Sequence, residues 1–185
     1  MSAPEKELIA AAKSGDGRAL SGLLERYQPT VYRFGLRVCR DEADAEDVLQ
    51  DTLLTMTRDL GDFREKSSLS TWLFAIARSH CIKRRRRSRH APEELEPLDV
   101  AARIADGARP PDELLAGKRI EKALEEAIGA LDPKYREVLI LRDAEGLTAP
   151  EVAETLGIGV AAVKSRLHRA RRAVRTALEG LDAPA

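Results

Sequence analysis

The sequence predicts an all-α protein made of two small helical domains joined by a flexible linker. Apolar residues recur at spacings of three and four through most of the 185-residue chain, which is the pattern of amphipathic helices. Residues 91–111 interrupt that pattern with four prolines, a glycine and several acids, a composition that favours a linker over a packed core. We therefore expect domains at residues 1–90 and 112–185, on either side of this linker.

Composition and charge patterning exclude several classes of protein. The 31 basic and 31 acidic residues cancel, so only their segregation along the chain can indicate a nucleic-acid partner. No apolar run reaches the ~18 residues of a membrane span, and residues 1–12 mix acids and bases, unlike a signal peptide. We expect a cytoplasmic protein. Its two cysteines, Cys39 and Cys81, are then expected to stay reduced, since they form no CxxC pair and no disulfide framework.

The N-terminal half is predicted to form successive helices. Gly15 to Gly17 separates a first helix from a second, which we expect to end before Pro29 because proline breaks helices. Val31 to Val38 carry the next helix, and a cap at Asp41 opens an acidic one. A last helix begins near Thr71 and ends in a run of cations.

The C-terminal half is predicted to contain a helix-turn-helix. Thr148 and Glu151 have the spacing of a capping box, which marks the start of a helix. This helix is expected to stop at Gly157, and a second helix follows from about Val160. The second helix carries one apolar stripe: Val163, Leu167, Ala170, Val174 and Leu178.

The other face of this second helix is strongly basic. No acid occurs between Thr155 and Leu178, while six lysines and arginines do. Neutralising DNA phosphates from the major groove requires such a surface. An ordinary solvated helix face is the alternative interpretation, although such faces usually mix both signs of charge.

Four segments, in this order, resemble the successive signatures of one family. They are Asp44–Asp51, Ser70–Arg78, Leu131–Leu139 and Val163–Arg171. They are similar to the extracytoplasmic-function (ECF) sigma factors, the minimal two-domain members of the main bacterial sigma-factor family. The resemblance covers about Ala10 to Leu178. It implies a promoter-recognition subunit of RNA polymerase that is controlled by an anti-sigma factor.

The acidic helix is expected to dock onto core RNA polymerase. Its acids, with leucines beside them, suit a basic partner helix, and the resemblance names this partner as the clamp helices of the largest polymerase subunit. The residues carried over are Asp47, Gln50, Asp51 and Leu54. The alternative is that these acids only complement the dipole at the start of their helix; the two roles are compatible.

The resemblance assigns the segment after the acidic helix to the minus-ten promoter element, where it holds a flipped base of the non-template strand. Aromatic and cationic side chains together suit the capture of unpaired bases. The candidates are Phe63, Trp72, Ser79, Lys83, Arg85, Arg86 and Arg87. Trp72 could instead pack in the core. Ser79 stands where many relatives place Asn, which leaves the identity of the captured base open.

The helix-turn-helix is assigned to the minus-thirty-five promoter element. Lys164, Ser165 and His168 lie near the start of its second helix, opposite the apolar stripe, where they can reach base edges. Three arginines flank that face and suit phosphates: Arg166, Arg169 and Arg171.

An enzymatic or metal-dependent function has little support in the sequence. The histidines are scattered and there is no glycine-rich phosphate loop. His80, Cys81 and Cys39 could be combined as a metal site, but adjacent residues on a helix diverge by about 100°. We expect no catalysis, no metal and no cofactor. The main competing hypothesis is a free-standing, dimeric helix-turn-helix transcription regulator.

Overall fold

The computed structural model describes residues 3–88 and 111–179. The chain divides into two compact units, Met1–Leu95 and Glu96–Ala185. Within the described residues the secondary structure is helical throughout, without a strand, so the predicted all-α class is confirmed. Apart from Pro111, the predicted linker lies outside the described residues.

Four helices form the described part of the first unit, residues 3–88. They are α1 (Ala3–Lys13), α2 (Gly17–Cys39), α3 (Glu42–Asp59) and α4 (Leu69–Ser88), with a short 3-10 turn at Leu60–Asp62 after α3. Helices α2, α3 and α4 pack against one another, and α1 packs on α2. The Phe34 and Phe74 rings meet in the core of the unit with their centroids 4.9 Å apart.

The prediction that a helix ends before Pro29 is wrong. Helix α2 continues through Pro29 to Cys39. A proline inside a helix loses one backbone hydrogen bond and costs about 3 kcal/mol. Buried side chains on both sides of it, Tyr27, Val31 and Phe34 among them, keep one continuous apolar face against α3 and α4. Their burial offsets the cost of Pro29.

Helix α3 is placed by a cap and by a close helix contact. The Asp41 side chain accepts a hydrogen bond of 2.7 Å from the backbone N–H of Asp44, which confirms the predicted cap. Gly35 of α2 faces Ala45 of α3 so closely that a Cβ on Gly35 would lie 3.4 Å from Ala45. This contact seats the acidic helix firmly against α2.

The expectation of two reduced cysteines is also wrong. Cys39 and Cys81 form a disulfide with their Cα atoms 5.5 Å apart, a separation typical of disulfides. The two residues are 42 positions apart in sequence, so only the packing of α4 on α2 brings them together. The disulfide joins the last residue of α2 to the middle of α4.

Between residues 111 and 179, the second unit is likewise built from four helices. They are α5 (Pro111–Gly129), α6 (Pro133–Leu139), α7 (Ala149–Leu156) and α8 (Val160–Glu179), with a π-helical turn at Ile140–Ala144 after α6. The Arg136 guanidinium donates hydrogen bonds of 3.0 and 2.9 Å to the carbonyls of Gly129 and Leu131. It thereby caps the end of α5 and ties it to α6.

The predicted helix-turn-helix is confirmed as a structural unit. Thr148 and Glu151 form the complete capping box at the start of α7. Gly157 ends α7 with a φ of 64°, a left-handed conformation that glycine adopts without strain. Helix α8 starts three residues later at Val160 and packs on α5, α6 and α7.

Candidate nucleic-acid and partner interfaces

Helix α8 presents one buried and one open face. Four residues of the predicted apolar stripe are buried: Val163, Leu167, Ala170 and Val174. The opposite face holds Lys164, Ser165 and His168, and all three are exposed. This face has no acid before Glu179, the last residue of α8. Its N-terminal half is therefore open to a ligand with negative charge.

The arginines that flank this face differ from one another. Arg171 makes two hydrogen bonds, of 2.6 and 2.8 Å, to the carboxylate of Asp143. Arg169 donates to the Tyr135 hydroxyl at 3.3 Å, and this hydrogen bond is the largest cause of a lowered pKa of Tyr135. Arg166 is half-buried. Arg171 is therefore paired with Asp143 inside the second unit. The sequence did not predict this pair.

Arg172, one of the six cations of α8, was not among the candidate site residues named from the sequence. It lies on the exposed side of α8, in line with Ser165 and His168 at helical spacing. A count along the helical period from Ser165 would have placed it on the same face. With Lys164 it adds a second exposed cation to the centre of this surface.

The second candidate interface is a surface of α3 that we call the α3 surface, formed by Asp47, Gln50, Asp51 and Leu54. Leu54 is 61% exposed. The Asp47 and Asp51 side chains are 52% and 44% exposed, and Gln50 is exposed. An open leucine among acids suits a partner that is basic and partly apolar.

The α3 surface is not purely acidic in space, although its stretch of sequence contains no cation. Arg84 of α4 reaches across to it and lies 2.6 Å from Asp47, 3.5 Å from Asp44 and 3.7 Å from Asp51. The acids of α3 therefore also bind α4, because one arginine is shared by three carboxylates.

His80 of α4 extends this cluster. Its Nδ1 lies 3.5 Å from a carboxylate oxygen of Asp51. Burial lowers the pKa of His80 and the cations Lys83 and Arg84 lower it further, which together outweigh the attraction of Asp51. At neutral pH His80 is therefore an uncharged neighbour of the α3 surface.

The cationic run at the end of α4 divides into anchored and open residues. Arg85 donates a hydrogen bond of 2.9 Å to the backbone carbonyl of Val38, beside the disulfide. Lys83 and Arg86 are exposed. The side chain of Arg87 lies outside the described residues. The sequence suggests one uniform basic surface. In the structure, Arg84 and Arg85 instead bind groups of the first unit itself.

Residues 63–68 form a loop between the 3-10 turn and α4, and the aromatic candidates lie at its base. Phe63 is 4% exposed, and its ring centroid lies 5.3 Å from that of the half-buried Trp72. Phe63 therefore lies beneath the surface. Trp72 and the exposed Ser79 are the candidates that an unpaired base could reach.

The described residues contain no group of three or more His, Cys, Asp or Glu side chains placed to hold a metal ion. Cys81, one member of the metal site considered from the sequence, is bonded to Cys39. No helix in this part of the chain is long and apolar enough to span a membrane.

Comparisons with known proteins decide the family. Residues 23–91 match the family model for sigma-70 region 2, and residues 121–174 match the model for sigma-70 region 4. The RNA polymerase sigma-H factor of Pseudomonas aeruginosa is 31% identical over 184 residues, which cover 96% of this chain and 95% of the relative. The ECF RNA polymerase sigma factor SigW of Bacillus subtilis is 29% identical, with coverage of 95% and 97%.

The chain belongs to the ECF sigma factors of the sigma-70 family.

A solved structure agrees with this assignment. CnrH, in complex with the cytosolic domain of CnrY, matches this ECF sigma factor with a TM-score of 0.65 and 28% identity, covering 97% of this chain and 99% of CnrH. In this sigma factor, region 2 contains the α3 surface and the 63–68 loop. Region 4 contains the helix-turn-helix and the open face of α8 up to Val174.

Proposed function

We propose that this ECF sigma factor binds core RNA polymerase and directs it to promoters without catalysing a reaction itself. The observation that carries the proposal is the open face of α8. A capped helix-turn-helix presents Lys164, Ser165 and His168 together, with no acid among them. Lys164 and His168 can bond base edges of the minus-thirty-five element, while Arg166 and Arg169 flank the face toward the phosphates.

Region 2 is proposed to bind polymerase through the α3 surface. The partner is the clamp helices of the largest subunit, as the family resemblance implies. Leu54 supplies exposed apolar area, and Gln50 supplies a side-chain amide that can donate and accept hydrogen bonds. Asp47 and Asp51 keep about half of each side chain exposed while they bind Arg84, so each retains oxygen surface for a basic partner.

Region 2 is also proposed to capture an unpaired base of the minus-ten element. Trp72 offers the aromatic surface and Ser79 a hydroxyl, while Lys83 and Arg86 meet the strand's phosphates, with Arg87 continuing the run. Phe63 and Arg85 take part indirectly: Phe63 supports Trp72, and Arg85 holds α4 to the end of α2.

The remaining partners follow from the family. An anti-sigma factor is proposed to control this protein in the bacterial cytoplasm, and the structure of CnrH with the cytosolic domain of CnrY supports a protein partner of this kind. In the holoenzyme the protein would lie at the nucleoid. We further propose that residues 1–90 and 112–185 fold independently around the 91–111 linker, which limited proteolysis would test by leaving two protected fragments.

A mobility shift on promoter duplexes separates this function from that of a dimeric regulator. A regulator binds its operator alone. The sigma factor should shift the duplex only after core polymerase is added. A specific shift by the free protein, unchanged by polymerase, would favour the regulator. A fragment of vector DNA of equal length serves as the control for non-specific binding.

A further inference from the structure

Lys13, the last residue of α1, joins three features of the 63–68 loop. Its Nζ donates a hydrogen bond to the backbone carbonyl of Phe63. The same atom lies 3.4 Å from Glu65 Oε1 and 5.4 Å above the Phe63 ring. These contacts link residues 50 and 52 positions apart in sequence. The Lys13 side chain is only 24% exposed, so most of it is packed against the first unit.

The loop needs such an anchor. Glu65 has a φ of 55°, a left-handed conformation that residues other than glycine rarely adopt. A strained backbone persists only where surrounding contacts hold it. At the other end, the Ser68 hydroxyl accepts a hydrogen bond of 3.1 Å from the backbone N–H of Thr71, at the start of α4. Contacts therefore hold the loop at both ends. Lys13 binds its start at Phe63, and the Ser68 hydroxyl binds its end to the start of α4.

Helix α1 is itself fixed to the rest of the unit. Near its start, the buried Glu5 accepts a hydrogen bond from the Tyr27 hydroxyl of α2. Burial and Glu5 raise the pKa of Tyr27, which keeps the hydroxyl protonated as the donor. Helix α1 therefore contacts α2 near its start and the 63–68 loop at its end, and it fixes the position of the loop relative to α2.

We propose that Lys13 is a positioning residue for promoter opening, which sets the 63–68 loop in the conformation that receives an unpaired minus-ten base. The inference rests on the proposed function of region 2. Lys13 supports Phe63 from one side, and Phe63 supports Trp72 on the other. Arg64 and Lys66, both exposed in the same loop, are then presented to the strand in a fixed arrangement. Lys13 acts through the loop, without touching DNA.

The test uses the full chain bound to core polymerase and a set of matched variants. Lys13→Met keeps the length of the side chain but removes its charge and hydrogen bond. Glu65→Gln removes the charge of its partner. Lys6→Met changes an exposed lysine on the same helix and is the control. Three quantities are measured: polymerase binding, permanganate reactivity of thymines in the opened promoter, and affinity for a promoter with an unpaired minus-ten region.

Lys13→Met should lower promoter opening and affinity for the unpaired promoter about tenfold, the effect of losing one charge-assisted hydrogen bond. Polymerase binding should not change, and Lys6→Met should behave as the wild type. Glu65→Gln should also lower opening, because it loosens the same loop. The salt dependence of binding should keep its slope in Lys13→Met.

A direct contact between Lys13 and a phosphate predicts different results and would overturn the inference. In that case Lys13→Met would reduce the salt slope by about one, and Glu65→Gln would bind DNA more tightly because a negative charge is removed. Normal promoter opening by Lys13→Met would equally overturn it. If the wild type opens no promoter with core polymerase, the proposed function of region 2 fails. That result differs from a failure of the Lys13 proposal, in which the wild type does open promoters.

Discussion

The guanidinium of Arg84 on α4 lies 2.6 Å from the carboxylate of Asp47 on α3. The proposed polymerase-binding surface is therefore also a contact between two helices of region 2. Reversing the charge of Asp47 would place two cations together, and loss of binding could then reflect loss of folding. Polymerase binding is better tested at an uncharged residue of the α3 surface that is largely exposed, such as Leu54.

Leu54→Ser provides that test. Leu54 is 61% exposed, so its replacement should change the free energy of unfolding by no more than about 0.5 kcal/mol. Pull-down of core polymerase should fall sharply, because the partner loses an apolar contact. Leu54→Met keeps the apolar side chain and should retain binding. Full polymerase binding by a folded Leu54→Ser variant would remove Leu54 from the interface.

Substitutions on α8 should separate base reading from phosphate binding. Lys164→Ala should cost about 1–3 kcal/mol of binding and relax the preference at particular bases of the minus-thirty-five element. Arg169→Ala should weaken all sequences alike and reduce the salt slope by about one. Holoenzyme binding to a library of upstream elements at several salt concentrations measures both. Identical, sequence-blind losses for the two variants would show that α8 does not read bases.

Arg171 provides an internal comparison in the same library. Because its guanidinium is paired with Asp143, Arg171→Ala should weaken DNA binding less than Arg172→Ala does. The order of the two losses is the readout. A larger loss for Arg171→Ala would mean that DNA displaces Asp143 from the arginine.

Reduction of the Cys39–Cys81 disulfide should destabilise region 2. The bond closes a loop of 42 residues, and removing such a constraint from the unfolded chain costs about 2–4 kcal/mol. Denaturant unfolding with and without a dithiol reductant measures the difference, and Cys39→Ala should show none. If thiol titration finds two free cysteines before reduction, the bond does not form in solution.

Acidification should weaken region 2 partly through His80. Burial lowers the pKa of His80 in the folded state below its usual 6.5, so the unfolded chain binds more protons as the pH falls through that value. The stability contributed by neutral His80 is therefore present above about pH 6.5 and is lost below it. The NMR titration of His80 should have a midpoint under 6.5, and His80→Gln should flatten the pH dependence. A midpoint above 6.5 would show that Asp51 dominates.

Local patterns predicted the helices and the open face of α8, because caps and apolar stripes act within a few residues. Thr148, Gly157 and Val163 all lie where the sequence indicates. Pro29 misled the prediction, since tertiary burial outweighed a local propensity.

Contacts between distant residues could not be predicted from spacing. Three pairs of residues come into contact only when the helices pack: Arg84 with Asp47, Arg171 with Asp143, and Cys39 with Cys81. The sequence therefore predicted Arg85 and Arg171 as ligand contacts, although both bind groups of their own unit. The structure divides these cations into those that hold helices together and those that face outward.

Run-off transcription tests the central claim most directly. Core RNA polymerase is incubated with genomic fragments, with and without the protein, and the transcript starts are mapped. We expect discrete new starts that depend on the protein, with shared sequences near minus ten and minus thirty-five. Leu54→Ser should abolish these starts, and Lys164→Ala should redistribute them. Starts that are the same with and without the protein would contradict the claim.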